Sequence, residues 1–99
     1  MASPAEQIIA DVAARHRIFP AQITGRPFQA RQYVRARKEV IRILRGPQFR
    51  WSYPRIGELL NRDHSTIMHL ERSARWEAKE EWQARGAPVG ERWWAEAAE

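Results

Sequence analysis

The chain has no cysteine, which removes disulfide staples and thiolate metal sites from its repertoire. No apolar run approaches the roughly 18 to 20 residues that cross a bilayer, and the opening MASPAEQ lacks the basic and apolar regions of a secretory signal. A cytoplasmic protein that neither spans a membrane nor is secreted is expected. Catalytic constellations are equally scarce. His64 and His69 are five residues apart, a spacing that does not bring two ligands together on one helix face. Asp63 and His64, neighbours at a helix start, point in different directions. There is neither a GxxxxGK[ST] loop nor a dinucleotide fingerprint. No enzyme, no metal and no cofactor are expected, and no internal repeat or low-complexity stretch stands out.

Acidic residues are sparse where bases are dense. Residues 15–75 carry fourteen bases against four acids, while residues 76–99 carry six acids and three bases. The overall charge of +5 therefore understates how basic the middle is. Thirteen of the fourteen bases are Arg, the side chain that grips phosphate or guanine bidentately. Such a segment gains affinity for a polyanion by releasing counterions. A solvated basic surface is the plain alternative.

Ninety-nine residues with 43% hydrophobic content suit one small domain. Ser3, Pro4 and Glu6 form a helix start with an S-x-x-E capping box, and Ile8, Ile9, Val12 and Ala13 give that helix an apolar stripe to about His16. Ile18, Phe19 and Ile23 around Pro20 predict a short helical turn packed by its hydrophobics, with Gly25 as a stop. A long helix follows, from about Gln29 to Arg45, ended by Gly46 and Pro47. Val34, Arg37, Ile41 and Leu44 form its inner stripe, and Arg31, Arg35, Lys38, Arg42 and Arg45 cover the other faces, so this helix is expected to lie against phosphates. Of Phe49 and Trp51 in the next connection, at least one is expected to be buried.

Ser52 caps a further helix with Pro54 in its first turn and Ile56, Leu59 and Leu60 inside. Gly57 within it costs roughly 1 kcal/mol relative to alanine, which a close backbone approach from a neighbouring helix, the one after the turn, would explain. After an Asn-Arg-Asp turn, Asp63 caps a last helix with His64, Ser65 and Thr66 in its first turn and Ile67, Leu70, Ala74 and Ala78 facing the core. Helix, tight turn and polar-tipped helix is the layout of a helix-turn-helix. The fold class expected is all-α, with a domain over residues 1–85 and a flexible, acidic, tryptophan-containing tail over residues 86–99.

From about Ile8 to Arg75 the chain resembles the C-terminal DNA-binding domain of the bacterial replication initiator DnaA. The resemblance rests on Ala36-Arg37-Lys38, on Ser52-Tyr53-Pro54-Arg55-Ile56-Gly57 and on Arg62-Asp63-His64-Ser65-Thr66-Ile67-Met68-His69. It implies an all-helical domain that reads a short asymmetric box of double-stranded DNA as a monomer, through the major groove with an arginine in the minor groove. Asp63, His64, Ser65, Thr66 and His69 match the family's major-groove readers; Asp63 reads equally as a pure cap, and Ser65 and Thr66 as helix-start residues. Tyr53 and Pro54 stand where the family packs apolar atoms on a thymine methyl, with Tyr53 departing from the aliphatic residue often found there. Arg26, Arg31, Arg37, Arg45, Arg62 and Arg72 are the candidates for backbone or minor-groove contact. Arg26 and Arg31 compete for the minor groove, and Arg37 also lies on the apolar stripe.

The family's initiators carry an ATPase module that these residues do not contain. The expectation is a transcription regulator, as in prophage or gene-transfer-agent control; the alternative is a replication modulator that occupies initiator-type boxes, or a basic protein-interaction module. Trp76, Trp82, Trp93 and Trp94 in the acidic segment suit a protein partner, such as a factor linked to RNA polymerase. Trp93 and Trp94 are the candidate partner contacts, and core closure is the competing reading of Trp76 and Trp82.

Overall fold

The computed structural model describes residues 3–88. Among these, five helices and no strand occur: α1 (Pro4–His16), α2 (Pro20–Thr24), α3 (Arg31–Arg45), α4 (Tyr53–Leu60) and α5 (His64–Ala84). The expected tail contacts Trp93 and Trp94 lie outside the described residues.

Each boundary has a local cause. Ser3 Oγ accepts from the Glu6 amide at 3.2 Å, and Pro4 fills a position whose amide has no helical partner. In α2 the cap is reversed, the Gln22 side chain accepting from the Phe19 amide at 2.8 Å. α3 starts at Arg31, two residues later than its periodicity suggests, and no side chain caps it at Ala30. α5 ends where Gly86 takes a φ of 88° and the Ala87 amide donates back to the Trp82 carbonyl at 3.0 Å. That closure needs a left-handed residue, which glycine supplies without a Cβ penalty.

α3 is the hub, packing against all four other helices. Its inner face buries Ala36, Val40, Ile41 and Leu44 against Ala5, Ile9, Val12 and Ala13 of α1, Ile23 of α2, Ile56 and Leu60 of α4 and Ile67 of α5. The fully buried core is thus aliphatic, each Val, Leu or Ile contributing about 1.5–3 kcal/mol. Phe49 and Trp51 are both partly buried at its edge. Phe19 departs from expectation. It is 74% exposed, because Ile18 and Ile23 already turn inward and the residue between Ile18 and Pro20 points out.

Gly57 is buried under the turn that follows its own helix. A Cβ there would sit 2.5 Å from the Arg62 carbonyl oxygen. The close approach is therefore made by the turn itself, whose Arg62 amide donates to the Gly57 carbonyl at 2.8 Å. Asn61 takes the left-handed conformation, φ 56°, that lets the chain reverse in so few residues.

Candidate nucleic-acid interface

α4, the Asn61-Arg62-Asp63 turn and the start of α5 form one unit. Ser52 Oγ accepts from the Arg55 amide at 3.3 Å to begin α4. Asp63 begins α5, its carboxylate accepting from the Ser65 amide at 3.1 Å and from the Ser65 hydroxyl. These two bonds hold the Asp63 carboxyl below the ordinary aspartate range. Both Asp63 and Ser65 thus serve the helix start while remaining exposed.

Beyond the cap, α5 presents its polar residues outward. His64, Thr66, His69 and Arg72 are all exposed, while Ile67 at 0% exposure anchors the opposite side. Ser65, Met68, His69 and Arg72 fall at i, i+3, i+4 and i+7 and so share one outer face. Met68 is 39% exposed on that face. Met68 is not among the sequence-predicted readers, although its i+3 spacing from Ser65 puts it on their face. Arg55, also absent from them, is exposed in the first turn of α4 with its guanidinium 3.7 Å from the centre of the Trp51 ring.

A shallow groove of about 570 Å³ runs beside this face, lined by Arg26, Pro54, Gly57, Glu58, Asn61, Arg62, Asp63 and His64. Of the two arginines competing for the minor groove, Arg26 therefore shares this groove with His64. Arg31 lines a different cleft, with Gln29, Val34, Arg35, Lys38 and Glu77.

Three of the expected backbone holders are engaged inside the protein. Arg37 is corrected outright: only 2% exposed, it cannot lie against phosphate. Its Nε donates to the Ile23 carbonyl at 2.6 Å, and one terminal nitrogen reaches the Gln22 carbonyl at 3.0 Å and those of Gly25 and Phe28. The five-residue α2 ends with carbonyls that have no helical partner, and the guanidinium satisfies them where water is excluded. Burial, and secondarily the charge of Arg62, push the Arg37 pKa down to about 10. Arg62 is likewise turned inward, donating to the carbonyls of Leu60 at 2.6 Å and Gly25 at 2.7 Å. Its pKa is lowered by burial first and by Arg26 second. Arg45 is half-buried, with Nε 3.1 Å from Glu71 and one terminal nitrogen 3.1 Å from the Trp51 carbonyl oxygen. Arg26, Arg31 and Arg72 remain exposed.

Tyr53 also turns partly inward, its hydroxyl donating to Glu71 at 2.7 Å, while Pro54 stays exposed at the groove. Lys38 faces α5 as well, its Nζ 2.6 Å from Glu77 and 3.0 Å from Ser73. The acids of α5 thus neutralise part of the α3 charge that the sequence assigns to phosphates.

A short capped helix, a turn closed over a buried glycine, and a second helix offering an exposed and mostly polar outer face define a DNA-binding helix-turn-helix domain. The model of the bacterial dnaA protein helix-turn-helix family matches residues 5–73. The chain belongs to that family. No curated protein and no solved structure matches it.

Proposed function

We propose that this domain reads double-stranded DNA in a sequence-specific way, the outer face of the first turns of α5 entering the major groove, and that it acts as a transcription regulator. One observation carries the reading: Ser65, Met68, His69 and Arg72 share an exposed face that begins at the capped end of α5. Hydroxyl, imidazole and guanidinium groups supply donors and acceptors for base edges and phosphate, and the thioether supplies an apolar contact.

The regulatory part is supported by Trp76, 63% exposed on the same helix and about 16 Å beyond Ser65. An exposed indole there suits a protein held next to the reader. In this reading residues 1–85 bind DNA, and residues 86–99 add Trp93 and Trp94 to the partner surface, for a factor linked to RNA polymerase. Family membership favours a second reading, that the domain occupies initiator-type boxes and modulates replication.

Binding titrations test the first claim. A duplex enriched from a random pool is expected to bind about 10³-fold tighter than scrambled duplex at physiological salt, with affinity falling steeply as salt rises. Equal affinity for both duplexes overturns it in favour of a basic protein-interaction module. Sequencing of DNA recovered with the protein from cells separates the uses: peaks at promoters for transcription, a dominant origin peak for replication.

A further inference from the structure

Five bases of α3 form one line. Arg31, Arg35, Lys38, Arg42 and Arg45 fall at i, i+4, i+7, i+11 and i+14, a stripe about 21 Å long. An unopposed stripe of that kind binds a polyanion whatever its sequence. Glu39, the one acid of α3, does not oppose it, because that carboxylate is turned to Arg15 and His16 of α1.

The opposing charge comes from α5, which runs antiparallel beside the stripe. Buried Glu71 holds Arg45 at 3.1 Å, and Glu77 holds Lys38 at 2.6 Å. Glu81 lines a cleft of about 300 Å³ together with Glu77, Arg35 and Arg42. Glu77 also lines the neighbouring cleft that contains Arg31. Glu81 reaches Arg85 as well, at 3.8 Å, but two side chains so exposed gain little from pairing.

The core does not account for the length of α5. The family match ends at Ser73, yet the helix continues to Ala84. Among the described residues beyond Arg75, only Ala78 and Trp82 are half-buried. Glu77 and Glu81 stand roughly 120–160° around the helix from Ser65, away from the outer face. The extension thus brings two carboxylates to α3 without placing them among the readers.

We propose that Glu77 and Glu81 are specificity-determining residues that stand in for phosphate within the molecule: by occupying the α3 stripe they suppress sequence-independent duplex binding and leave affinity to depend on the outer face of α5. The inference rests on the duplex-reading assignment above and deepens it. Neither carboxylate touches a base. A carboxylate in contact with a cation lies well inside the screening length of about 8 Å at physiological salt, so a phosphate reaching the stripe must first displace it.

The test measures affinity for scrambled duplex, and for the duplex that the wild type enriches, with every variant checked by thermal unfolding. Glu77→Gln/Glu81→Gln is expected to bind scrambled duplex about ten-fold tighter, with a log–log salt slope steeper by about 0.9 for each phosphate newly engaged, while enriched duplex gains less than about three-fold. No gain on scrambled duplex overturns the inference. Glu6→Gln/Asp11→Asn removes two exposed charges from α1 and is expected to change that affinity by less than about two-fold. An equal gain there makes net charge the cause and overturns the shield. Adding Arg31→Gln/Arg35→Gln to Glu77→Gln/Glu81→Gln is expected to return scrambled-duplex affinity to the wild-type level, and a gain that survives overturns the role of α3. Arg35→Gln alone decides independently of whether the acid variants fold: its loss of scrambled-duplex affinity is expected to stay under about two-fold, and a loss above about five-fold overturns the shielding. A wild type that prefers no duplex overturns the duplex-reading assignment alone, because the scrambled-duplex gain still decides the shield.

Discussion

α3 and the first turns of α5 divide the work of a DNA-binding domain in a way that formal charge conceals. α3 carries six bases in fifteen residues, whereas His64 through Arg72 carry one arginine and one glutamate. On charge alone α3 is the DNA-facing helix. Yet Arg37 is enclosed by carbonyls, Arg45 is held by Glu71 and Lys38 by Glu77. The α5 start, nearly neutral, keeps His64, Thr66, His69 and Arg72 exposed. A cation that is buried or already paired with a carboxylate contributes less to polyanion binding than an exposed one. Half of the bases on α3 are therefore structural, with Arg31, Arg35 and Arg42 still exposed, and the polar helix tip offers recognition chemistry that formal charge does not reveal.

The contrast is most easily broken at Arg37. Arg37→Ala is expected to destabilise the fold by about 3 kcal/mol or more in urea unfolding, because several buried carbonyls lose their donor at once. Arg37→Lys should recover little, a single ammonium being unable to span the same acceptors. If Arg37→Ala instead left stability intact and weakened DNA binding, α3 would be a phosphate-binding helix after all.

Gly57→Ala comes next. Alanine favours helix by about 1 kcal/mol, but here its Cβ would meet the Arg62 carbonyl oxygen at 2.5 Å, a backbone atom that cannot move alone. A net loss of about 1–3 kcal/mol in unfolding experiments is expected.

Arg72→Ala sharpens the other side of the comparison. Exposed on the α5 outer face, it is expected to weaken binding to all duplexes alike and to flatten the salt dependence by about 0.9 in log–log slope, with no change in melting temperature.

The smallest effect concerns Asp63. Its carboxyl is depressed in the folded protein, so its contribution to stability is fully present above the ordinary aspartate value of about 3.9. That contribution is lost as pH falls from there through the lower folded value. Thermal midpoints measured from pH 5 down to pH 2 should show this loss in the wild type, and Asp63→Asn should lack that component.

The helices were legible because their signals are local. Ser3, Ser52 and Asp63 cap within three residues, and the apolar repeats of α3 and α5 show which faces turn inward. The destinations of the arginines were not legible. The apolar stripe sets Arg37 apart from Arg35 and Arg42, but its acceptors lie nine to fifteen residues earlier in the chain, where no local pattern points to them. Glu71 was hidden for the same reason: only its spacing from Ile67 hints that it turns inward, and its partners lie on other helices. The Asp63 to His69 stretch was easier to read, since a capped helix start with polar residues in its first turn is encoded contiguously.

Arg37 and Arg62 both donate to the carbonyl of Gly25, one from the hub helix and one from the turn between α4 and α5. Arg26 is the next residue. Its distance from the tip of α5 is therefore set during folding, much as the jaws of a caliper are set by its frame. If a duplex lies along the groove as proposed, it meets two positions held at a preset separation, a spacing that would make the domain sensitive to the width of its ligand.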